Sequence, residues 1–182
     1  MVADDTTYGK HVRHIPEYTI SMLQLTYCSD PATSVSLDDL RKFLEQRGYL
    51  TIATVDDDGW PRTARFEYGQ YEDGLTLICD IITDSQTCRN LLRDQRAHIE
   101  IGSQDDEYTL QCRASVTPLS GNELQAAQRD YFAKSQRLGR NDTAERFESR
   151  PDITWFSLKP FDLLYTDVSH RPEWLRVRYA EA

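Results

Sequence analysis

From residue 108 to residue 116 the chain alternates without a break. Tyr108, Leu110, Cys112, Ala114 and Val116 fall on one side, and Thr109, Gln111, Arg113 and Ser115 on the other. A period of two sends one row into a core and the other toward water, so this stretch is a β-strand and needs partner strands. The flanking sequence supplies them. Residues 49–55 (Tyr-Leu-Thr-Ile-Ala-Thr-Val) read as a strand, 56–59 as its turn and 60–71 as a long return strand. Asp73-Gly74 turns the chain again into a strand at 75–79, and paired Asp-Gly turns between such runs are hairpin signals. Residues 97–101 alternate as well, and 153–158 with 161–168 predict a last hairpin around Lys159-Pro160.

Helices punctuate these strands. Ser36 and Asp39 have the spacing of a capping box, Leu37, Leu40, Phe43 and Leu44 make one apolar face, and Gly48 is the expected stop. A short helix fits 85–94, capped by Asp84 or Ser85, with Leu91 and Leu92 turned inward. Ser120 and Glu123 repeat the capping-box spacing ahead of Leu124, Ala127, Tyr131 and Phe132, and a further helical piece covers 142–148. Residues 1–35 carry Gly9, Pro16 and Pro31 and little periodicity, which reads as an arm lying on its own domain or on a partner. Residues 36–182 form the domain, ending in an aromatic, basic tail at 170–179. Antiparallel sheets must close or bury their edges, so the expected fold is mainly β: a small antiparallel β-barrel with peripheral α-helices.

Charge and cysteine usage narrow the function. Lys+Arg 21 against Asp+Glu 30 leaves a net −9, which disfavours duplex nucleic acid or an anionic membrane as a partner. No run of 18 apolar residues spans a bilayer, and Asp4 and Asp5 stand where a signal peptide needs basic residues, so a cytoplasmic address is expected. Cys28, Cys79, Cys88 and Cys112 share no metal-binding spacing and read as reduced thiols, so no metal site is assigned.

Four segments carry a resemblance. They are residues 49–55, 59–65 (Gly-Trp-Pro-Arg-Thr-Ala-Arg), 85–91 (Ser-Gln-Thr-Cys-Arg-Asn-Leu) followed by 97–101, and 158–165 (Leu-Lys-Pro-Phe-Asp-Leu-Leu-Tyr). In order and spacing, across about 37–168, the chain resembles the FMN-binding split-barrel proteins related to pyridoxamine 5′-phosphate oxidase. The resemblance implies that the barrel is split, in a homodimer with FMN at the subunit interface. A flavin-dependent oxidoreductase acting on a small molecule is the expectation, and a non-enzymatic flavin-binding or sensing module is the alternative. A deazaflavin (F420) or haem is an alternative cofactor found among such barrels, and His170 is the histidine best placed in the sequence for haem.

The residues suit that expectation. A dianionic phosphate needs cations, hydroxyls or free backbone N–H groups, which a helix start with Ser85, Thr87 and Arg89 offers. A flat ring needs an apolar slot edged by main chain or amides. By the resemblance, Arg62, Thr63, Ala64 and Arg65 on the return strand, with Cys79 and Asp80 beside them, line it, and Gln111 contacts the ring.

Duller roles stand beside these. Arg62 and Arg65 lie three apart, so at most one faces the cofactor; Ser85 is also a natural helix cap; Gln111 also suits a wet strand face. Two departures reduce the supply of cations, and the basic residues that bind pyridoxal phosphate in the true oxidases have no counterparts here, so vitamin B6 oxidation is not expected. Thr87 replaces a lysine that many relatives use for phosphate, and Gly69 replaces one carried by pyridoxamine oxidases. The remaining candidates read as structural: His11 and His14 as an exposed pair, His98 on a polar strand face, 56–58 as a solvated acidic turn, and Trp155 and Trp174 as core or interface anchors. No catalytic side chain is assigned, because a flavin carries its own redox chemistry.

Overall fold

The computed structural model of the protein describes residues 23–30, 32–33, 35–102, 107–140, 147, 150, 152–169 and 174–181. The elements run β1 (Leu23–Cys28), α1 (Leu37–Glu45), β2 (Tyr49–Val55), β3 (Pro61–Glu67), β4 (Gly69–Gln70), β5 (Leu77–Ile82), α2 (Gln86–Arg93), β6 (Arg96–Ile101), β7 (Tyr108–Pro118), α3 (Gly121–Arg137), β8 (Ile153–Asp167) and β9 (Leu175–Glu181). One antiparallel sheet holds every strand, in the order β1-β9-β8-β7-β6-β2-β3, with β5 joined to β8 and β4 to β5. The fold is mainly β, of the split-barrel kind, and the sheet is not closed: β3 and β5 approach each other without pairing.

The period-two rows become the core. Leu110, Cys112, Ala114 and Val116 of β7 are buried with Leu50 and Ile52 of β2, Ala97, Ile99 and Ile101 of β6, and Leu77, Cys79 and Ile81 of β5. Helix α1 stoppers this cluster with Leu40, Phe43 and Leu44. Each such side chain contributes about 1.5–3 kcal/mol by leaving water. The Ser36 capping box forms as expected: Ser36 Oγ accepts from the Asp39 N–H at 3.2 Å, and Asp39 Oδ2 accepts from the Ser36 N–H at 2.9 Å. The helix ends at Glu45, before Gly48, because Gln46 already serves as its C-cap.

The sheet departs from the sequence expectation in three places. The return strand is not continuous to 71; it breaks at Tyr68, whose buried hydroxyl turns in to donate to the Leu44 carbonyl at 2.7 Å. The strand after the second turn is Leu77–Ile82, not 75–79. Lys159-Pro160 makes no hairpin. β8 runs straight through it, and the ladder with β7 slips between Arg113 and Ala114, so that Asp162 and Pro160 take successive partners and Phe161 bulges. A bulge removes the ladder bond that proline cannot donate. The bend there passes one edge of β8 from β5, along Ile153–Leu158, to β9, along Asp162–Asp167, and that transfer splits the barrel.

Local details differ as well. Leu91 is buried but Leu92 is half exposed, and Ser120 sits at the N-cap of α3 without a side-chain capping bond. Within 1–35, Leu23–Cys28 joins the sheet edge by pairing with β9, and residues 175–179 of the expected tail belong to that partner strand. The helical piece expected at 142–148, apart from Phe147, lies outside the described residues, as do His11, His14 and His170.

A second apolar cluster forms on the far side of β5, where Ile78 and Trp155 meet Ala127 and Tyr131 of α3, with Phe132 and Phe147 packed around them. Tyr131 meets the Trp155 ring edge-on at 5.1 Å. Gly69 is essential to this docking: a Cβ there would lie 2.5 Å from the Tyr131 Cα, which is backbone and cannot move aside.

Candidate functional site

Directly opposed residues of an antiparallel ladder share a face. Arg62, Ala64 and Phe66 therefore share the core-facing side with Thr54, Ile52 and Leu50, while Thr63, Arg65 and Glu67 share the outer side with Ala53, Thr51 and Tyr49. The two arginines face opposite ways, as the spacing requires. Arg65 lies outside with its guanidinium 4.5 Å from the Tyr49 ring centre. Arg62 is fixed by Asp56, which accepts from its Nε at 2.8 Å.

Asp56 was expected in a solvated turn, and the structure buries it. Its carboxylate also accepts from the N–H groups of Asp58 at 3.1 Å and Trp60 at 2.9 Å, and Gly59 takes the positive φ of 83° that closes the turn. These bonds, the Arg62 one first, hold its carboxyl below the usual carboxylate range. The aspartate thus aims Arg62 while leaving both terminal guanidinium nitrogens open. Three consecutive acidic residues look alike in sequence; only the turn geometry singles out the first.

Helix α2 crosses the gap between β3 and β5, touching β2, β3 and β5. Ser85 caps it, Oγ accepting from the Cys88 N–H at 3.2 Å, which leaves the Gln86 and Thr87 N–H groups as open amides at the helix start. Thr87 is half-buried beside them. Arg89 folds back on its own helix, donating to the Asp84 carbonyl at 2.5 Å and to Gln86 Oε1 at 2.8 Å. Sequence reasoning passed over what ties α2 down: buried Asn90 donates to Thr54 Oγ1 at 2.9 Å and accepts from Gln86 Nε2 at 2.8 Å. An amide pair at i, i+4 was the one available signal.

On β5, the Cys79 thiol is wholly inside the core, where burial raises its pKa well above the usual value, so only its main chain can serve a ligand. Asp80 is half-buried on the opposite face. Arg62–Arg65 on β3, Cys79 and Asp80 on β5, and Ser85, Thr87 and Arg89 at the start of α2 thus lie on three elements that contact one another, beside one seam, the unpaired edge of β3. Gln111 is not gathered with them. It stands on the outer face of β7, three strands or about 14 Å from β3, and donates to Glu100 Oε2 at 3.3 Å.

Gly69, where the resemblance marks a lysine, has no room for any side chain, because α3 fills the space. The hollows of the surface lie elsewhere. A cleft of about 520 Å³ is bounded by Arg41, Glu45, Gln70, Glu72, Asp130 and Arg137, and a dimple of about 200 Å³ by Phe43, Arg47, Tyr108 and Tyr165. Neither includes a seam residue. Around the seam stand exposed apolar side chains: Val55, Trp60, Ile82 and Leu92. Among the described residues, no helix is long and apolar enough to cross a membrane.

The model of the family described as pyridoxamine 5′-phosphate oxidase matches residues 36–167. No curated protein matches the sequence. Solved structures share the fold. A haem-binding protein from Mycobacterium smegmatis superposes with a TM-score of 0.62 at 18% identity, covering 79% of this chain and 58% of that one. A pyridoxamine 5′-phosphate oxidase-related, FMN-binding protein from Nostoc punctiforme gives 0.54 at 17% identity, covering 77% of this chain and 84% of that one. An F420 reductase gives 0.52 at 20% identity, covering 68% of this chain and 94% of that one.

Proposed function

The chain belongs to the pyridoxamine 5′-phosphate oxidase family, and from that premise we propose that it is a homodimeric FMN-binding protein, a flavin-dependent oxidoreductase acting on a small molecule. One observation carries the reading: the unpaired edge of β3, the Gln86 and Thr87 amides and the open end of Arg62 border the gap that α2 crosses between β3 and β5, and no described strand pairs with that edge. That donor set fits the group. The helix start, Ser85, Thr87 and Arg62 would hold a dianionic phosphate, and the edge from Arg62 to Arg65 would border the ring. When bound, FMN supplies the hydride or electron chemistry.

The chain's own residues bind and orient. Asp56 keeps Arg62 aimed, Asn90 and Thr54 keep the helix start in place, and the main chain of Cys79 backs the slot. A partner copy would close the seam, covering Val55, Trp60, Ile82 and Leu92 and bringing Gln111 of its outer face to the ring. Gly69 argues against pyridoxamine phosphate as the substrate, since α3 occupies the lysine's place.

Purified protein that retains flavin, or that gains thermal stability with saturating FMN, supports the reading, because a ligand selective for the native state must raise apparent stability. No retained flavin and no shift would reject it, and a stable monomer by light scattering would reject the shared site. A second reading is haem binding. It draws on the likeness to the Mycobacterium smegmatis protein and on the engagement of Arg65 and Arg89 by other groups, which limits the cations left for phosphate. A strong Soret band on adding haem, lost in His170→Ala, would favour it over FMN.

A further inference from the structure

Lys134 of α3 is fully buried, and its partners are all uncharged. Its Nζ donates to the Leu44 carbonyl at 2.7 Å and to Gln70 Oε1 at 3.2 Å, and it lies 3.7 Å from the centre of the Tyr68 ring. No carboxylate of the described residues is within ion-pairing distance of it. A neutral amine has two N–H groups, enough for both acceptors; the third proton of an ammonium adds a buried charge and no new oxygen partner.

The surroundings set the balance. From α1 comes Glu45, already engaged by Arg137 of α3 at 2.6 Å; from the segment after α3 comes Arg140; from β5 and the β3–β4 junction come Cys79 and Tyr68, both kept neutral by burial. Burial is the largest influence and opposes the cation; Glu45 favours it, Arg140 and Arg137 oppose it, and the amine is pushed down to about 7.

The position matters. Leu44 lies in the last turn of α1, Gln70 belongs to β4, and Gln70 also donates to the Arg41 carbonyl at 3.3 Å and to the Gly74 carbonyl. The same Gln70 walls the 520 Å³ cleft, to which α3 contributes Asp130, Ala133 and Arg137. We propose that Lys134 is a proton-operated latch: as a neutral amine it ties α3 to α1 and β4, and its protonation loosens α3 and the cleft wall that α3 forms.

The sign follows from linkage. With α3 undocked, Lys134 meets water and binds a proton at an ordinary lysine value, about 10.4. With α3 docked it binds one only near neutrality. Between those limits the open state holds one more proton, so opening gains up to about tenfold per pH unit of acidification and levels off near pH 7.

The test is hydrogen exchange on the full chain from about pH 9 to about pH 6, corrected for intrinsic rates. Protection of 121–137 should fall up to about tenfold per unit down to about pH 7 in the wild type, and be independent of pH in Lys134→Met, with the β6 and β7 strands unchanged in both. Carbon-13 titration of the lysine Cε groups in the wild type gives a second readout that no folding defect can spoil. Lys134 should titrate well below the ordinary lysine value of about 10.4. A midpoint at that ordinary value, or an equal pH slope in wild type and Lys134→Met, would overturn the latch.

Discussion

Helix α2 and helix α3 both lie against β5 and its neighbours, but they hold the sheet by different means. Helix α2 is pinned through side-chain amides, Asn90 to Thr54 and Gln86 to Asn90, and its start stays open at the seam. Helix α3 comes into backbone contact at Gly69, carries an aromatic cluster onto Ile78 and Trp155, and buries a lysine beneath it. The first arrangement leaves amides and a strand edge unused, which a ligand can take up. The second holds by apolar packing and close backbone approach, so it serves stability and, through Lys134, a response to pH.

The contrast can be broken by mutation. Trp155→Ala should cost the most, about 3–5 kcal/mol in urea denaturation, because it empties the centre of the α3 cluster. Gly69→Ala should cost about 1–3 kcal/mol by overpacking against the Tyr131 backbone. If that variant were as stable as wild type, the close approach of α3 would be wrong.

Asn90→Ala should cost about 1–3 kcal/mol, since it strands the buried Thr54 hydroxyl, and it should also weaken FMN binding by loosening α2. Ser85→Ala should cost about 1 kcal/mol in the free protein and lose more of the FMN-induced thermal shift than Trp155→Ala loses. An FMN shift that ignored Ser85 and collapsed in the α3 variants would reverse the assignment of the two helices.

The smallest effect belongs to the outer face, away from both. Asp162 accepts from Arg178 Nε at 2.8 Å and Arg113 Nε at 2.7 Å, and these bonds, Arg178 first, hold its carboxyl below the usual range. A depressed folded value means the contribution is present above an unfolded value of about 3.9 and is lost as pH falls through the folded one. The melting-temperature gap between wild type and Asp162→Asn should therefore shrink below about pH 4.

Much of the fold was legible because its signals are local. The alternation of β7, the Asp58-Gly59 turn, the Ser36 box and the Ser85 cap each depend on residues within a few positions of one another. The candidate residues around the seam were legible in the same way, being two runs and a helix start. Gln111 was legible as a strand residue, but its distance from the seam was not, because strand order is not written in alternation. Lys159-Pro160 looked like a turn until a bulge let the proline stay inside a continuous strand, and Asp57 and Asp58 disguised the neighbour that aims Arg62.

By itself the sequence determined which segments are strands or helices, which rows face inward and where the helices begin, since hydrophobic period and capping act over a turn or a pleat. Only the tertiary structure decided that β8 changes partners midway, that Gly69 must admit Tyr131, and that Lys134 reaches a carbonyl 90 residues away. Burial and charge depend on what lies across the fold, and no local pattern encodes the distance between segments that meet only after the chain has packed.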